Sequence, residues 1–395
     1  MSHKIIKHIA IWLVATVSLV FTACGKHDEP KPPTASRTVL VYQVANNNLS
    51  TYAAEDIREM LIGSKIAGAI PANAHLLVYS SNPDGITLSE IKNGTQTVLK
   101  TYAATPLSVT SERMREVYND MQHLAPANDY GLILWSHGTG WLQNGIDDPA
   151  DSTGQRSFGS ESGGKCMNVT TLARVLEDEN FSFIYFDCCF MMSVETLYEM
   201  RNTAPVIAGS VTELPVDGMP YHLNLSSFFR QGSADLIQAA KNTFEYFNSK
   251  SSPIDRTCTM SVIDTQYLGD LGRLCAEIYT KASTSYPADF VPQRFSTNVN
   301  SFPFYDFGQY ITALCIDADG NERFEGAKNL HNDFTKLMNG CVVYAANTDK
   351  IWNSISLQHH SGMSTYLLKR EADIFKYNYN TLSWYFDVAS KLSLN

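Results

Sequence analysis

Two hydrophobic periods alternate along most of the chain. Short runs of β-branched and apolar residues predict strands, whereas longer stretches with charges on one side predict helices. The predicted strands are residues 38–44, 75–80, 131–136, 181–187, 205–209 and 259–264. The predicted helices are residues 49–66, 110–124, 169–176, 194–200 and 234–247. Strands that alternate with helices in this way predict an α/β fold, a mainly parallel sheet with helices on both faces.

The pattern becomes less regular after about residue 265. The predicted elements of this part are helices at 266–282 and 305–315, strands at 341–345 and 362–368, and an amphipathic segment at 382–392. We therefore expect two parts, a domain at residues 37–265 that holds the main sheet and a C-terminal α/β subdomain at residues 266–395 that packs on it. The pattern does not place the boundary between them to better than about twenty residues.

The amino-terminal segment, residues 1–23, has the features of a targeting signal. Lys4 and Lys7 precede an uninterrupted apolar run at residues 9–21, which is too short for a permanent membrane span. The run ends in Phe-Thr-Ala before Cys24, a sequence that resembles the lipobox of bacterial lipoproteins, in which the cysteine is acylated. The alternative is an ordinary cleaved signal that is followed by a cysteine by chance.

Residues 24–36 are polar and rich in proline, which is typical of a flexible tether. Together with acylation at Cys24, this predicts an exported, monomeric protein anchored by lipid to a bacterial membrane, at the outer membrane or the cell surface. The net charge is −10 and no basic cluster is present, which argues against a nucleic-acid partner.

The eight cysteines do not show the close, regular spacing of small disulfide-bonded scaffolds. Cys258, Cys315 and Cys341 lie in apolar stretches, where we expect buried free thiols. The pairing of the others stays open. His359 and His360 are adjacent and therefore face apart, so no metal site is assigned to them.

Reactive side chains follow two of the predicted strands. The strand at 131–136 leads into His137 and Gly138, and the strand at 181–187 ends at Asp187 and leads into Cys188 and Cys189. The carboxyl ends of parallel strands meet at one edge of a sheet, where ligands gather. Cys189 follows His137 by about fifty residues, which is the spacing found in caspase-type proteases. The pattern predicts a thiol and an imidazole side by side.

Each of these residue types suits nucleophilic catalysis. An imidazole at His137 would activate the thiol of Cys189 or protonate a leaving amine. The backbone N–H groups of Gly138 and Cys189 are candidates for binding an oxyanion. Asp187 is two residues before Cys189, so both point the same way along a strand and the carboxylate would form a pocket for a basic side chain. The alternative for Asp187 is a helix-capping acid.

Several segments, in order along the chain, resemble the clostripain family of cysteine peptidases, which belongs to the clan of caspases, legumain and gingipains. The matching segments are residues 38–42, 46–49, 132–138, 187–191, 193–195 and 213–221. The resemblance implies a caspase-like fold and a cysteine endopeptidase. The family usually has alanine between the aspartate and the catalytic cysteine, where this chain has Cys188. The family register favours Cys189 as the nucleophile over Cys188.

The resemblance also implies cleavage of proteins or peptides after Arg or Lys, with Asp187 and Asp217 lining the pocket. Asp217 precedes a glycine, so a turn aspartate is the alternative. Family members often cut their own chain in the region after the histidine, where Arg156 and Lys165 are the available basic residues. No cofactor is required, although some relatives depend on calcium. Aspartates that would attract calcium lie in the same region, at Asp147, Asp148 and Asp151.

Two other functions remain open from the sequence. One is a peptidase of the same fold with a different pocket preference, as in legumain-like or caspase-like relatives. The other is a surface lipoprotein that kept the fold and binds a partner without catalysis. Cleavage of peptides that differ only in the residue before the cut separates these alternatives.

Overall fold

The computed structural model describes residues 34–142 and 157–394. The main strands are β1 (Arg37–Val44), β2 (Ala74–Asn82), β3 (Gly85–Lys92), β4 (Thr95–Thr101), β5 (Tyr130–Trp135), β8 (Phe183–Asp187), β9 (Val206–Gly209), β10 (Thr259–Asp264) and β12 (Val342–Asn347). The short strands are β6 (Phe158–Glu161), β7 (Lys165–Met167), β11 (Tyr305–Asp306), β13 (Lys350–Ile351), β14 (Ile355–Ser356) and β15 (Ser364–Thr365).

Helices connect the strands. The α-helices are α1 (Ser50–Gly63), α2 (Ser111–Leu124), α3 (Val169–Leu176), α4 (Val194–Glu199), α5 (Tyr221–Phe228), α6 (Leu236–Asn248), α7 (Leu268–Lys281), α8 (Phe307–Cys315), α9 (Ala327–Cys341) and α10 (Ser383–Asp387). The 3₁₀ segments are Ser162–Gly164, Met200–Asn202, Thr265–Tyr267, Glu371–Thr381 and Ala389–Lys391. Within the described residues, no helix is both long enough and apolar enough to span a membrane.

The main sheet has the strand order β12-β10-β9-β8-β5-β1-β2-β3-β4. The five central strands, from β9 to β2, run parallel to one another, and the flanking strands add antiparallel pairs at both edges. The predicted fold class, a mainly parallel sheet covered by helices, is therefore confirmed. The antiparallel edge at β3 and β4 was not predicted, because most of β4 is exposed and its polar residues carry no core-facing pattern.

Side chains of the central strands alternate between two apolar cores, one on each face of the sheet. Leu40 and Tyr42 of β1 face one core, whereas Val39 and Val41 face the other. Helices α1, α5 and α6 cover the second core, and the remaining α-helices cover the first. The helices after α6 thus pack on the same face as α2, α3 and α4.

The C-terminal part contributes a strand to the main sheet, since β12 pairs antiparallel with β10. The division predicted near residue 265 falls at the end of β10 and stays a prediction, although the sheet continues across it. Cys258, Cys315 and Cys341 are free and buried, as predicted.

Candidate active site

The two strands that end in reactive side chains are direct neighbours. β5 pairs parallel with β8, and Trp135 at the end of β5 lies opposite Asp187 at the end of β8. The loops that carry His137 and Cys189 therefore leave the sheet at the same edge. The predicted adjacency of the two strand ends is confirmed by this register.

A cavity of about 250 Å³ opens at this edge. The loops after β5 and β8 form one side of it, and the segment before α5 forms another. Its lining residues are Leu49, Trp135, Ser136, His137, Asp187, Cys188, Cys189, Glu213, Leu214, Pro215, Val216, Gly218 and Trp352. His137, Cys188 and Cys189 thus border a single space that a substrate side chain can enter.

His137 is held through both its ring and its backbone. Its Nε2 lies 2.8 Å from Oδ1 of Asn48, in the loop between β1 and α1. Its backbone oxygen accepts a hydrogen bond from the N–H of Gly159 in β6 at 2.9 Å. An amide oxygen accepts a hydrogen bond from a nitrogen that carries a proton. The contact with Asn48 therefore favours the tautomer with the proton on Nε2 and leaves Nδ1 as the basic nitrogen.

The thiol of Cys189 is partly exposed at the cavity. The N–H of Leu214 donates to its Sγ at 3.4 Å. Burial raises the pKa of this thiol to about 12, against the lowering effect of the Leu214 N–H, and Glu213 and Asp187 raise it further. In the arrangement described, the resting group is thus a neutral thiol, and a base must take its proton before it can attack.

The residue after the nucleophile candidate has a strained backbone. Phe190 has φ of 60°, a left-handed conformation that costs an aromatic residue roughly 1–2 kcal/mol. Its ring stacks on Phe302 at 5.1 Å and on Phe304 at 4.9 Å between centroids. Stacked aromatic pairs contribute about 0.5–1.5 kcal/mol each, so these contacts offset the strain and hold the turn that presents Cys189.

Cys188 differs from Cys189 in its surroundings. It is only 2% exposed, and its Sγ donates to the backbone oxygen of Leu134 at 3.1 Å. Burial, together with the nearby Asp187, raises the pKa of its thiol well above the usual range. Burial and a hydrogen bond to a strand carbonyl both reduce the reactivity of a thiol.

Gly138 approaches the nucleophile loop too closely for any side chain. A Cβ at this position would lie 2.7 Å from the backbone oxygen of Cys189 and 2.9 Å from Cβ of Cys188. The backbones of the two loops are therefore in direct contact. This brings the N–H-bearing segments of Gly138 and Cys189, the predicted oxyanion pair, to one place.

Asp187 lies at the floor of the cavity and is 5% exposed. Its carboxylate accepts hydrogen bonds from the N–H of Met219 at 3.1 Å and from the hydroxyl of Tyr221 at 3.1 Å. Burial raises its pKa above the usual range, although these two donors work in the opposite direction. It does not cap a helix, since α4 is capped by Ser193.

The sequence profile of the clostripain family matches residues 41–394 of this chain. The chain belongs to the clostripain family. An inactive zymogen of a C11 protease from Parabacteroides distasonis is 28% identical, with a TM-score of 0.74 over 90% of this chain and 99% of that one. No protein with a curated description is similar enough to count as a match.

A secreted C11 cysteine protease from Bacteroides thetaiotaomicron, in complex with an irreversible peptide inhibitor, is 26% identical, with a TM-score of 0.72 over 89% of this chain and 98% of that one. A further structure of a secreted C11 cysteine protease from the same organism has a TM-score of 0.75 at 21% identity and supports the fold alone. This member of the clostripain family is a cysteine-type peptidase.

Asp217, the second acid predicted for the pocket of this peptidase, is not among the lining residues of the cavity. Its side chain is about half exposed, and its Oδ2 lies 3.6 Å from Nζ of Lys250. The neighbouring Val216 and Gly218 do line the cavity. Asp217 is therefore at the rim of the cavity, between two lining residues, and its carboxylate faces Lys250.

Three contributors to the site were not predicted. Asn48 contacts the imidazole. Trp352, from the C-terminal part, lines one side of the cavity, and its Nε1 donates a hydrogen bond to Oε2 of Glu213 at 2.6 Å. Asp56 of α1 lies behind the cavity and is 1% exposed. A sequence signal existed for Asp56, because it falls on the buried stripe of α1 with Ala53 and Met60.

Several predicted site residues lie outside the described residues. These are Cys24, Arg156, Asp147, Asp148 and Asp151. Lys165 is described and exposed, at the start of β7, where it pairs with Glu161 of β6. Within residues 34–142 and 157–394, no group of three or more His, Cys, Asp or Glu side chains is arranged to hold a metal ion.

Proposed function

We propose that this peptidase is an endopeptidase that cleaves after Arg or Lys, with Cys189 as nucleophile and His137 as general base. The observation that carries the proposal is that a partly exposed thiol, an oriented imidazole and a buried carboxylate all line one cavity. The family and the fold indicate the reaction class, which is peptide-bond hydrolysis. The acidic residues at the floor of the cavity indicate the preference for a basic residue before the cut.

The first step transfers the proton of the Cys189 thiol to Nδ1 of His137, and the thiolate attacks the scissile carbonyl. Asn48 keeps the other ring proton on Nε2, so the imidazolium is stabilised as it forms. The N–H groups of Gly138 and Cys189 bind the oxyanion. His137 then protonates the leaving amine, and water hydrolyses the thioester.

The preference for a basic residue rests on charge. Acidic groups surround the floor and rim of the cavity: Asp56, Glu59, Asp187, Glu213 and Asp217. Among the described residues, the basic side chains that contact these acids are Lys250, beside Asp217, and His222, beside Glu59. A site with this excess of acid favours a cationic side chain and disfavours an acidic one.

A panel of fluorogenic peptides that differ only in the residue before the cut tests the proposal. We expect cleavage after Arg or Lys and none after Asp, Asn or Leu. Cleavage after Asp or Asn would instead support the legumain-like or caspase-like alternative. Absence of cleavage of every peptide by the processed protein would support the non-catalytic binding alternative.

Self-cleavage after Arg156 or Lys165 is part of the proposal. The solved relative from P. distasonis is an inactive zymogen. Ser157 donates through its Oγ to the backbone oxygen of Leu142 at 3.0 Å, so the two residues that flank positions 143–156 are joined by a hydrogen bond. A cut near Arg156 would leave β6 bonded to the backbone of His137. Lys165 is less suited, because its backbone belongs to the β6–β7 hairpin.

Replacement of Arg156 and Lys165 together by Gln tests this part. We expect the double variant to stay a single band on a denaturing gel and to lose activity that wild type gains on incubation. A single band together with full activity in that variant would contradict a requirement for processing. Addition of a calcium chelator in the same assay tests the proposed option of a calcium requirement.

Export and lipid anchoring at Cys24 are proposed from the sequence of residues 1–36. We also propose that the substrates are proteins or peptides and that the protein is a monomer. A related protease from B. thetaiotaomicron is described as secreted. Replacement of Cys24 by Ser should release the protein from the membrane fraction without changing its activity.

A further inference from the structure

A second buried carboxyl group lies behind the floor of the cavity. Asp56 of α1 is 1% exposed, and its Oδ2 accepts a hydrogen bond from Nε1 of Trp135 at 2.6 Å. A Cβ on Gly218 would lie 3.1 Å from Oδ2 of Asp56 and 3.1 Å from Oδ2 of Asp187. Both carboxyl groups therefore flank the same point, where Gly218 has no side chain, and Asp187 separates Asp56 from the cavity as a lining residue.

In the part of the chain that the structure describes, the charges around this pair do not include a direct counter-ion. Within the described residues, neither carboxylate forms an ion pair with Lys, Arg or His. The other ionisable groups that face the pair or the cavity are Glu59, His137, Cys188, Cys189, Glu213, Asp217, Tyr221, His222 and Lys250. His222 is paired with Glu59, and Lys250 is paired with Asp217.

Ionisation of both buried carboxylates that flank one point is unfavourable without a cation between them. Burial raises the pKa of both groups, and the charge of Asp187 raises the pKa of Asp56 further. The donors at Asp187, from Met219 and Tyr221, favour the ionised form there. This arrangement favours the state in which Asp187 is ionised and Asp56 carries the proton.

We propose that Asp56 and Asp187 share one proton in the empty enzyme and that a cationic substrate side chain entering the cavity expels this proton to solvent. The proposal rests on the proposed function, since it assumes that the cavity receives Arg or Lys. Asp56 is then a specificity-determining residue that acts through Asp187 and Gly218 rather than by lining the cavity itself.

Proton release gives the site a selectivity that a single carboxylate lacks. When a neutral substrate side chain binds, the proton stays on the carboxyl pair, which then carries one negative charge. When a guanidinium or ammonium group binds, it lowers the pKa of the pair, which then carries two negative charges. Over the pH range in which the empty carboxyl pair keeps a proton that the occupied pair has lost, the affinity for a cationic ligand rises about tenfold per pH unit.

Inhibition by agmatine, a guanidinium compound without a peptide bond, tests the proposal. Its inhibition constant is measured between about pH 6 and pH 9 for wild type, for Asp56→Asn and for the control Glu277→Gln, at an exposed position of α7. Asn keeps an acceptor for Trp135 and removes the proton. We expect the constant to fall about tenfold or more across this range in wild type and in Glu277→Gln, and to stay nearly flat above pH 7 in Asp56→Asn. His137 and Cys189 are present in all three proteins, so their titration cancels in the comparison.

Titration calorimetry of agmatine binding to wild type, in two buffers of different ionisation enthalpy, counts the released protons directly. This measurement needs no variant, so it holds even if Asp56→Asn fails to fold. Release of about one proton at pH 8 supports the proposal, and release of none overturns it. The same pH slope in wild type and Asp56→Asn also overturns it while leaving the basic preference intact. If agmatine does not bind and no peptide is cut after Arg or Lys, the proposed function falls as well.

Discussion

Oδ1 of Asn48 lies 2.8 Å from Nε2 of His137 and joins the loop after β1 to the loop after β5. This contact orients the imidazole, and the backbone of the same residue is held by its hydrogen bond from Gly159. It gives the site a third member next to the thiol and the imidazole. In effect, an amide takes the place that an acid holds in many other triads.

Replacement of Asn48 by Ala should lower kcat by about tenfold or more and change KM little, because it leaves the pocket intact and frees the ring to adopt the wrong tautomer. Steady-state kinetics with a basic peptide measure both constants. Asn329→Ala, at an exposed position of α9, is the control and should behave as wild type. A loss confined to KM would contradict the positioning role.

Replacement of Cys188 by Ala should leave kcat/KM within about twofold of wild type. The thiol is buried and donates to Leu134, so its loss removes one weak hydrogen bond and costs about 1 kcal/mol of the free energy of unfolding. Peptide cleavage and thermal unfolding are measured together. Loss of cleavage in a folded Cys188→Ala protein would move the nucleophile to Cys188.

A methyl group at Gly218 would obstruct the path to the two buried carboxyl groups. Gly218 has φ of 65°, so Gly218→Ala also strains the backbone by roughly 1–2 kcal/mol. The matched control is Gly68→Ala, because Gly68 has φ of 80° and no atom within 4 Å of an added Cβ. We expect KM for basic peptides to rise about tenfold in Gly218→Ala and to stay at the wild-type value in Gly68→Ala. Equal KM values in the two variants would show that access past Gly218 is irrelevant.

Glu195 of α4 makes stability depend on pH. Its Oε1 accepts hydrogen bonds from Thr365 Oγ1 and from the N–H of Tyr366, both at 2.8 Å, and the residue is fully buried. Burial raises its pKa to about 7, against these donors. The folded state therefore holds a proton that the unfolded state loses near pH 4.5, and stability falls as pH rises from there to about 7. The loss amounts to about 3 kcal/mol and levels off above pH 7.

Glu195→Gln removes this titration. We expect its melting temperature to gain on that of wild type as the pH is raised from about 5 to about 8. Glu277→Gln, at an exposed position of α7, is the control and should follow the wild-type curve. If the difference between Glu195→Gln and wild type is the same at both pH values, Glu195 does not titrate in this range.

The central sheet could be predicted from the sequence because its strands are buried on both faces. Such strands are continuous apolar runs, as in β5, and their bounds follow from composition. The β6–β7 hairpin is short and glycine-rich, and α5 lacks a clear apolar stripe. Neither segment therefore shows a hydrophobic periodicity from which it could be predicted. The pairing of these elements depends on contacts that a local pattern does not contain.

The site was predictable to a similar extent. His137 and Cys189 follow strand ends, and topology alone brings strand ends together. Trp352 donates a hydrogen bond to Glu213, which is 139 residues away in the sequence, and no local sequence pattern predicts such a contact. Asp56 shows the opposite case, since helical periodicity places it on a buried face without revealing that another carboxyl group lies across from it.

Covalent labelling tests the central claim most directly. The protein is treated with a peptidyl acyloxymethyl ketone that has Lys before the reactive carbon, and the modified residue is identified by mass spectrometry of the digested protein. We predict one thioether, at Cys189, with none in a protein carrying His137→Ala under the same conditions. A label at Cys188, or equal labelling by an inhibitor that has Asp in place of Lys, would contradict the account.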